Sequence, residues 1–236
     1  MKAWQEEDIH SLLTIGTEGE LFARLTSAVR DLGFDFCAYG MRMPLPLSNP
    51  RIVMFNNYPG AWQERYQERG YVQVDPTVHH GLRSSAPLIW SDSVFSTSRE
   101  LWEEARSFGL RVGWAMAYRD PSGVRSLMTF ARTTGDITPT ELKSNLSKMY
   151  WLAQIGHQGM SDRVSARLMP EFEVRLSERE TEVLRWTADG KTSNEVADIL
   201  NISERTVNFH ISNAMGKLGA SNKTAAAIRA AVLGFL

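Results

Sequence analysis

The sequence predicts an α+β protein in two parts: an N-terminal α-β-α sandwich with an antiparallel sheet, and a C-terminal all-α unit of four helices. Three observations carry this. Strand-like apolar runs lie between Phe36 and Arg132. Beyond Glu173 only helical patterns remain. Within that last stretch two capping boxes, Ser177 with Glu180 and Thr192 with Glu195, fix the helical frame. The 236 residues suffice for one large domain or two ordinary ones.

The elements follow in order. Thr17 with Glu20 opens an amphipathic helix whose Leu21, Phe22, Leu25, Val29 and Leu32 share a face, and Gly33 ends it. Phe36 to Met43 and Arg51 to Asn56 read as strands joined through Pro44, Pro46 and Pro50. Ala61 to Arg69 is a short helix stopped by Gly70, and another follows Asp75-Pro76. Leu101 to Phe108 is a helix closed by Gly109. Val112 to Tyr118 and Arg125 to Arg132 form a hairpin across Asp120-Pro121-Ser122-Gly123. Thr138-Pro139-Thr140-Glu141 starts a helix expected to end near His157. Gly159 to Glu173, with Pro170, reads as a linker. The expected division is therefore 1–160, a linker at 161–173, and 174–236.

Composition excludes several classes. Lys and Arg number 26 against 27 Asp and Glu, so affinity for phosphate must come from local clustering. Cys37 is the one cysteine, which excludes an internal disulfide and a cysteine-rich metal site. No apolar run approaches the roughly 20 residues that span a bilayer. Met1 to His10 is polar and acidic, without an apolar signal core. The expectation is a cytoplasmic protein with no membrane partner.

In the C-terminal part, two helices are joined by Asn201-Ile202-Ser203, which is helix-turn-helix spacing. In the second of them Val207, Ile211, Ala214 and Leu218 form a core stripe. The opposite face carries Arg205, Thr206, Phe209, Ser212, Asn213 and Gly216, flanked by Asn208 and Lys217. From Asn201 onward Arg205, Lys217, Lys223 and Arg229 face the single acid Glu204. Such groups reach phosphates and base edges. A helical module that binds another protein is the plainer reading of the same spacing. The stretch "LSERETEVLRWTADGKTSNEVADILNISERTVNFHISNAMGKLGASNK" resembles the DNA-binding domain of LuxR-type (NarL/FixJ-like) regulators. The resemblance implies that the third helix enters the major groove and that the last one forms a dimer interface. By matching position it implies phosphate contacts at Lys191, Thr192, Thr206, His210 and Lys217. Arg205, Asn208, Phe209 and Asn213 would lie nearer the bases.

The N-terminal part contains "NNYPGAWQERYQERGYVQVDPTV", which sets Tyr58, Trp62 and Tyr66 at intervals of four with Tyr71 and Asp75 beyond. An aromatic stripe is ordinarily core. A buried carboxylate needs a partner, and Asp75 before Pro76 is also a good N-cap. The residues alone leave cap and ligand contact both open. The pattern Y-x-x-x-W-x-x-x-Y, then D-P, then Trp90-Ser91, then Gly113 beside Trp114, resembles the autoinducer-binding domain of LuxR-type acyl-homoserine-lactone receptors over most of residues 20 to 160. That fold is a PAS- or GAF-like sandwich. The resemblance implies a ligand site in which Trp62 donates to the lactone carbonyl, Asp75 accepts from the amide N–H and Tyr58 donates to the amide carbonyl. Tyr66 and Trp90 would wall the pocket, and Thr129 would bond near the acyl 1- or 3-position. Ile52, Met54, Val78 and Leu127 would line the tail. Gly113 would serve tight packing.

Two other readings compete with this one. A catalytic or metal site at Asp75, His79 and His80 lacks a third ligand at a recognisable spacing, and no G-x-S-x-G, Walker or Rossmann motif appears. A ligand-independent or phosphorylation-controlled regulator of the LuxR/NarL type would share the C-terminal domain. Its receiver is an alternating βα fold with an acidic cluster, a strand-end Asp and a later Lys, whereas this N-terminus reads as helical and Gly33 to Met43 carries only Asp35, ahead of its strand. The sequence thus predicts a non-enzymatic quorum-sensing regulator with no cofactor or metal. Its expected partners are an N-acyl-homoserine lactone, a second copy of itself, and double-stranded DNA with a two-fold symmetric site.

Overall fold

The computed structural model describes residues 14, 16–169 and 174–236. The acidic stretch Met1 to His10 and the linker's Pro170 to Glu173 lie outside them. The chain forms two compact units.

In the first, α1 (Glu18–Asp31) begins at the expected capping box, with Thr17 and Glu20 bonded reciprocally, and buries Leu21, Leu25 and Val29. The sheet has the order β2-β1-β5-β4-β3 and is antiparallel throughout. Its strands are β1 (Phe36–Arg42), β2 (Ile52–Asn56), β3 (Leu88–Ile89), β4 (Val112–Arg119) and β5 (Arg125–Arg132). Short helices α2 (Gly60–Glu68), α3 (Pro76–Arg83) and α4 (Arg99–Ser107) lie between β2 and β4 in the chain, with a single 3-10 turn at Tyr71–Gln73. The long α5 spans Pro139–Leu168.

The alternation of the strands sorts the two faces. Trp114, Met128 and Phe130 point to the side of α1 and α5. Trp114 stacks on Phe130 and meets Tyr150 edge-on. A Cβ on Gly156 of α5 would stand 2.7 Å from Met128 and 3.1 Å from Leu25, so helix and sheet meet there closely. On this face Tyr39 and Ser126 place their hydroxyls 3.1 and 2.8 Å from His157 Nδ1. Cys37 is buried near Met128, and burial pushes its thiol pKa up. The other face, through Ala117 and Leu127, meets Gly81 of α3.

The sandwich is the fold class expected, with three differences in detail. The helix expected to end near His157 continues to Leu168, so residues 161–168 of the expected linker are helical. Met160 and Val164 are fully buried, and that apolar spacing outweighs the cost of Gly159 within the helix, roughly 1 kcal/mol. The strand β3 is only two residues long, too short to show a period. Finally, α4 begins at Arg99, before its apolar face starts at Leu101.

The second unit contains α6 (Glu178–Ala188), α7 (Ser193–Leu200), α8 (Glu204–Leu218) and α9 (Lys223–Val232). Both predicted capping boxes form, at Ser177 with Glu180 and at Thr192 with Glu195. Ser203 caps α8 and Asn222 caps α9. Val183, Val196, Ala197, Val207 and Ile211 make the core.

Candidate functional site

A cavity of about 220 Å³ opens on the sheet face turned toward α2, α3 and α4. Antiparallel register lays its floor in three rows, Asn56–Ala38–Thr129, Met54–Gly40–Leu127 and Ile52–Arg42–Arg125, and every one of these residues lines it. The six residues expected to bind ligand, Tyr58, Trp62, Tyr66, Asp75, Trp90 and Thr129, all line the same cavity, as do Ile52, Met54, Val78 and Leu127.

Their placement follows from local structure. Trp62 and Tyr66 stand one turn apart on α2, with ring centroids 5.7 Å apart and edge to face. Trp62 is buried, also against Tyr71 and Phe108. Tyr58 precedes α2 and meets Phe36 edge-on. Arg65, on the outer side of α2, binds Glu104 of α4 through Nε–Oε2 at 2.8 Å, joining the two helices that wall the cavity. That guanidinium holds the Glu104 carboxyl down to about 2.

Asp75 serves two purposes at once. Its Oδ1 accepts from the Thr77 backbone N–H at 2.8 Å and the Thr77 hydroxyl at 2.7 Å, which is the N-cap of α3. Its Oδ2 accepts from the Tyr66 hydroxyl at 2.9 Å, on the cavity side. The N-cap reading is thus met by Oδ1, while Oδ2 is held by Tyr66 at the cavity wall. Burial, with the Asp75 charge next, raises the Tyr66 phenol well above its ordinary range, so it remains a donor. Burial likewise raises Tyr58.

Trp90 follows β3 and stands edge-on to Phe95 and Trp102. Gly113 explains its position. A Cβ there would stand 2.3–2.6 Å from atoms of the Trp90 ring, so only glycine allows the indole to lie against β4. His79 and His80 do not converge: each ring Nε2 lies 2.8 Å from a backbone carbonyl, of Gln73 and Ala86 respectively. Among the described residues, no group of three His, Cys, Asp or Glu is placed to hold a metal ion.

Sequence reasoning missed much of the lining. Ala38, Gly40 and Arg42 form the middle strand of the floor, and their alternation along β1 was the available signal. Phe95, Leu101, Ala105 and Leu110 close the aromatic end, where only register and helix packing bring them in.

The second candidate surface is the outer side of α8. Asn201, in the left-handed conformation at φ 53°, ends α7 and turns the chain into α8. Val207, Ile211, Ala214 and Leu218 are buried, as their spacing predicts. Arg205, Asn208 and Phe209 are exposed, Phe209 at 60%, and Thr206, His210 and Asn213 are half-buried. Phe209 is thus a large aromatic left in solvent, one turn from Arg205 on the same helix. Several polar members are tied internally. Thr192 caps α7 and also bonds Glu195 through its hydroxyl. Asn208 Oδ1 accepts from Ser193, and the Thr206 and Ser203 hydroxyls lie 2.8 Å apart. Lys191 follows Gly190 at the end of α6, its side chain half-buried.

Lys217, expected at phosphate, is engaged within the unit. Its ammonium lies 2.8 Å from Glu180 Oε2 and also donates to the Arg175 carbonyl at 3.2 Å. Glu180 is buried, at 4% exposure. Burial alone would raise its carboxyl, but Lys217 and the Ser177 bonds outweigh that and lower it. The geometry makes Lys217 first a tie between α8 and α6. Arg229 is likewise occupied, donating to the Leu218 and Gly219 carbonyls at the end of α8.

Comparison with known proteins bears on both surfaces. Residues 17–160 match the family described as autoinducer binding domain, and residues 174–230 match bacterial regulatory proteins of the luxR family. The transcriptional activator protein AnoR of Acinetobacter nosocomialis is 48% identical over 238 residues, covering 100% of both chains. The quorum-sensing regulator RhlR of Pseudomonas aeruginosa is 45% identical over 216 residues, 92% of this chain and 89% of its own. The crystal structure of Escherichia coli SdiA superposes with a TM-score of 0.84 at 33% identity, covering 98% of this chain and 97% of SdiA. SdiA has also been solved in complex with octanoyl-rac-glycerol.

Proposed function

The chain belongs to the LuxR family of quorum-sensing transcriptional regulators, with an autoinducer-binding domain and a DNA-binding helix-turn-helix domain, and from this premise we propose that its effector is an N-acyl-homoserine lactone held in the cavity of the first unit. The observation that carries the reading is the convergence of Tyr58, Trp62, Asp75 and Thr129 on one mostly apolar cavity. An acyl-homoserine lactone offers one amide donor, carbonyl acceptors and an aliphatic tail. A few placed polar groups in an apolar wall suit that ligand.

In this reading the remaining lone pair of Asp75 Oδ2 accepts the ligand amide N–H beside the Tyr66 hydroxyl. Trp62 donates to the lactone carbonyl and Tyr58 to the amide carbonyl. Trp90 and Tyr66 wall the head group, and Thr129 bonds near the acyl 1- or 3-position. That SdiA holds an octanoyl ester of glycerol, also a small amphiphile, supports the class.

For the second unit, the reading assigns base contacts to Arg205, Asn208, Phe209 and Asn213. Phosphate contacts fall to Lys191, Thr192, Thr206 and His210, with Lys217 secondary to its ion pair. The protein acts as a homodimer on two-fold symmetric DNA, half-sites about one helical turn or a small multiple apart. It works by binding, without catalysis or a cofactor, in the cytoplasm. Among the described residues no helix is long and apolar enough to cross a membrane. The functional division is 1–160 for sensing and 174–236 for DNA, with 161–173 between. The alternative of a ligand-independent or phosphorylation-controlled regulator is not supported, because residues 17–160 match an autoinducer-binding domain.

The test is mass spectrometry of the compound that co-purifies from a signal-producing host, followed by titration of the purified chain with it. Recovery of an acyl-homoserine lactone is expected. Reproducible recovery of a different class, with no response to any lactone, would overturn the proposal.

A further inference from the structure

The three-row floor gives the cavity a length as well as a chemistry. Thr129, at the head-group end, and Arg125, at the open end, are on the same face of β5. At about 3.4 Å per residue they are about 13 Å apart. An extended alkyl chain, with C–C bonds of about 1.5 Å, advances roughly 1.3 Å per carbon. The floor beyond Thr129 thus matches about ten carbons.

Three features at the far end agree. Ile52 and Leu82 line the cavity there, with Met54 one row in, yet Ile52, Met54 and Leu82 are 48%, 44% and 39% exposed, which is apolar surface in want of cover. Arg42 and Arg125 are direct cross-strand partners, an unfavourable placement for like charges unless the heads diverge. Arg125 donates to the Leu82 carbonyl at the end of α3, and the aliphatic stems of such a pair can border a methyl end while the heads stay wet. In the middle of the floor Gly40 is open: a Cβ there would meet nothing within 4 Å. Glycine inside a strand commonly marks close approach by a ligand.

We propose that the cavity selects a long acyl chain, of about eight to twelve carbons, lying extended over Gly40 and ending between Arg42 and Arg125. Gly40 sets the length that fits. This rests on the lactone reading above and adds the class of tail to it.

The experiment titrates the full chain with N-butanoyl-, N-octanoyl- and N-dodecanoyl-homoserine lactone, by equilibrium dialysis, beside Gly40→Val. Each methylene buried is worth roughly fourfold in affinity. The parent is expected to prefer dodecanoyl over butanoyl by about a hundredfold or more. Valine suits a strand and enters open space, so the variant keeps its fold while its side chain blocks the groove. It is expected to reduce that preference by about tenfold or more. Equal binding of butanoyl and dodecanoyl by the parent, or equal loss of both in a Gly40→Val variant that is folded by circular dichroism, overturns the inference while the lactone reading stands. The parent series decides the matter even if the variant misfolds. Failure of every lactone to bind would remove the lactone reading itself, and this inference with it.

Discussion

Asp75 in the sensory cavity and Lys217 on the recognition helix are the charged residues that most invite assignment as ligand contacts, and the structure gives each an internal partner. Asp75 divides its work between two oxygens, capping α3 with one and facing the cavity with the other. Lys217 directs its ammonium to Glu180, a carboxylate buried in the capping box of α6. The first arrangement fixes a carboxylate oxygen in place at a cavity wall. The second spends a charge on holding two helices together. A charge near a binding surface therefore says little until the geometry of its other bonds is known.

The contrast can be tested by substitution. Asp75→Asn keeps a cap oxygen but turns a donor toward the Tyr66 hydroxyl and the ligand amide. The charge-assisted bond is worth roughly 1.5–3 kcal/mol, so lactone affinity should fall by about one to two orders of magnitude in a titration. Unchanged affinity would reduce Asp75 to a cap, for which Asn is nearly as good.

Lys217→Met should show the opposite profile, a loss of stability before a loss of specificity. Leaving Glu180 buried without its cation should cost about 1–3 kcal/mol, discounted for the partial exposure of the lysine, as seen in urea denaturation. The pH dependence follows from the lowered Glu180 carboxyl. A group depressed in the folded state contributes stability above its unfolded pKa and loses it as pH falls through the folded value. The parent should therefore weaken on acidification below the ordinary carboxylate range, and Lys217→Met should weaken less. If the variant is as stable as the parent but binds all DNA more weakly, Lys217 belongs with the phosphate contacts.

Arg205→Ala and Asn213→Ala probe residues without such a tie on the outer face. Each should cost about 1–3 kcal/mol at one base pair per half-site, measured against a panel of single-base variants. Equal losses on specific and random DNA would assign that residue to phosphate. The smallest effect is expected from Trp62→Phe, which keeps the ring and removes one neutral donor. Its cost should be about 0.5–1.5 kcal/mol in lactone affinity, and no change would remove the indole from the hydrogen-bonding set.

Local grammar made much of this legible in the sequence. Thr17 with Glu20, Ser177 with Glu180 and Thr192 with Glu195 announce helix starts because each pair satisfies backbone donors within one turn. The Tyr58–Trp62–Tyr66 stripe and Asp75 were readable for the same reason, lying within a span of eighteen residues. What depends on register was hidden. Gly40 and Arg42 join the cavity only because β1 sits between β2 and β5. The partner of Lys217 lies 37 residues away and announced itself only as a helix cap. The end of α5 was misread because Gly159 resembles a stop, while the burial of Met160 and Val164 that carries the helix onward is a tertiary fact.

The occupied cations of the second unit have one more consequence. Of the four bases from Asn201 onward, Lys217 holds Glu180 and Arg229 holds the carbonyls that end α8. Arg205 and Lys223 remain, with Lys191 from before α7. Counterion release scales with the phosphates that cations neutralise, about 0.9 per phosphate in the log–log salt slope. Three such cations per protomer, six in the proposed dimer, set an expected slope of about five. If all six meet phosphate, affinity for the operator should fall by about a thousandfold between roughly 50 and 200 mM salt, so the ionic strength of the cell sets how much of the operator is covered.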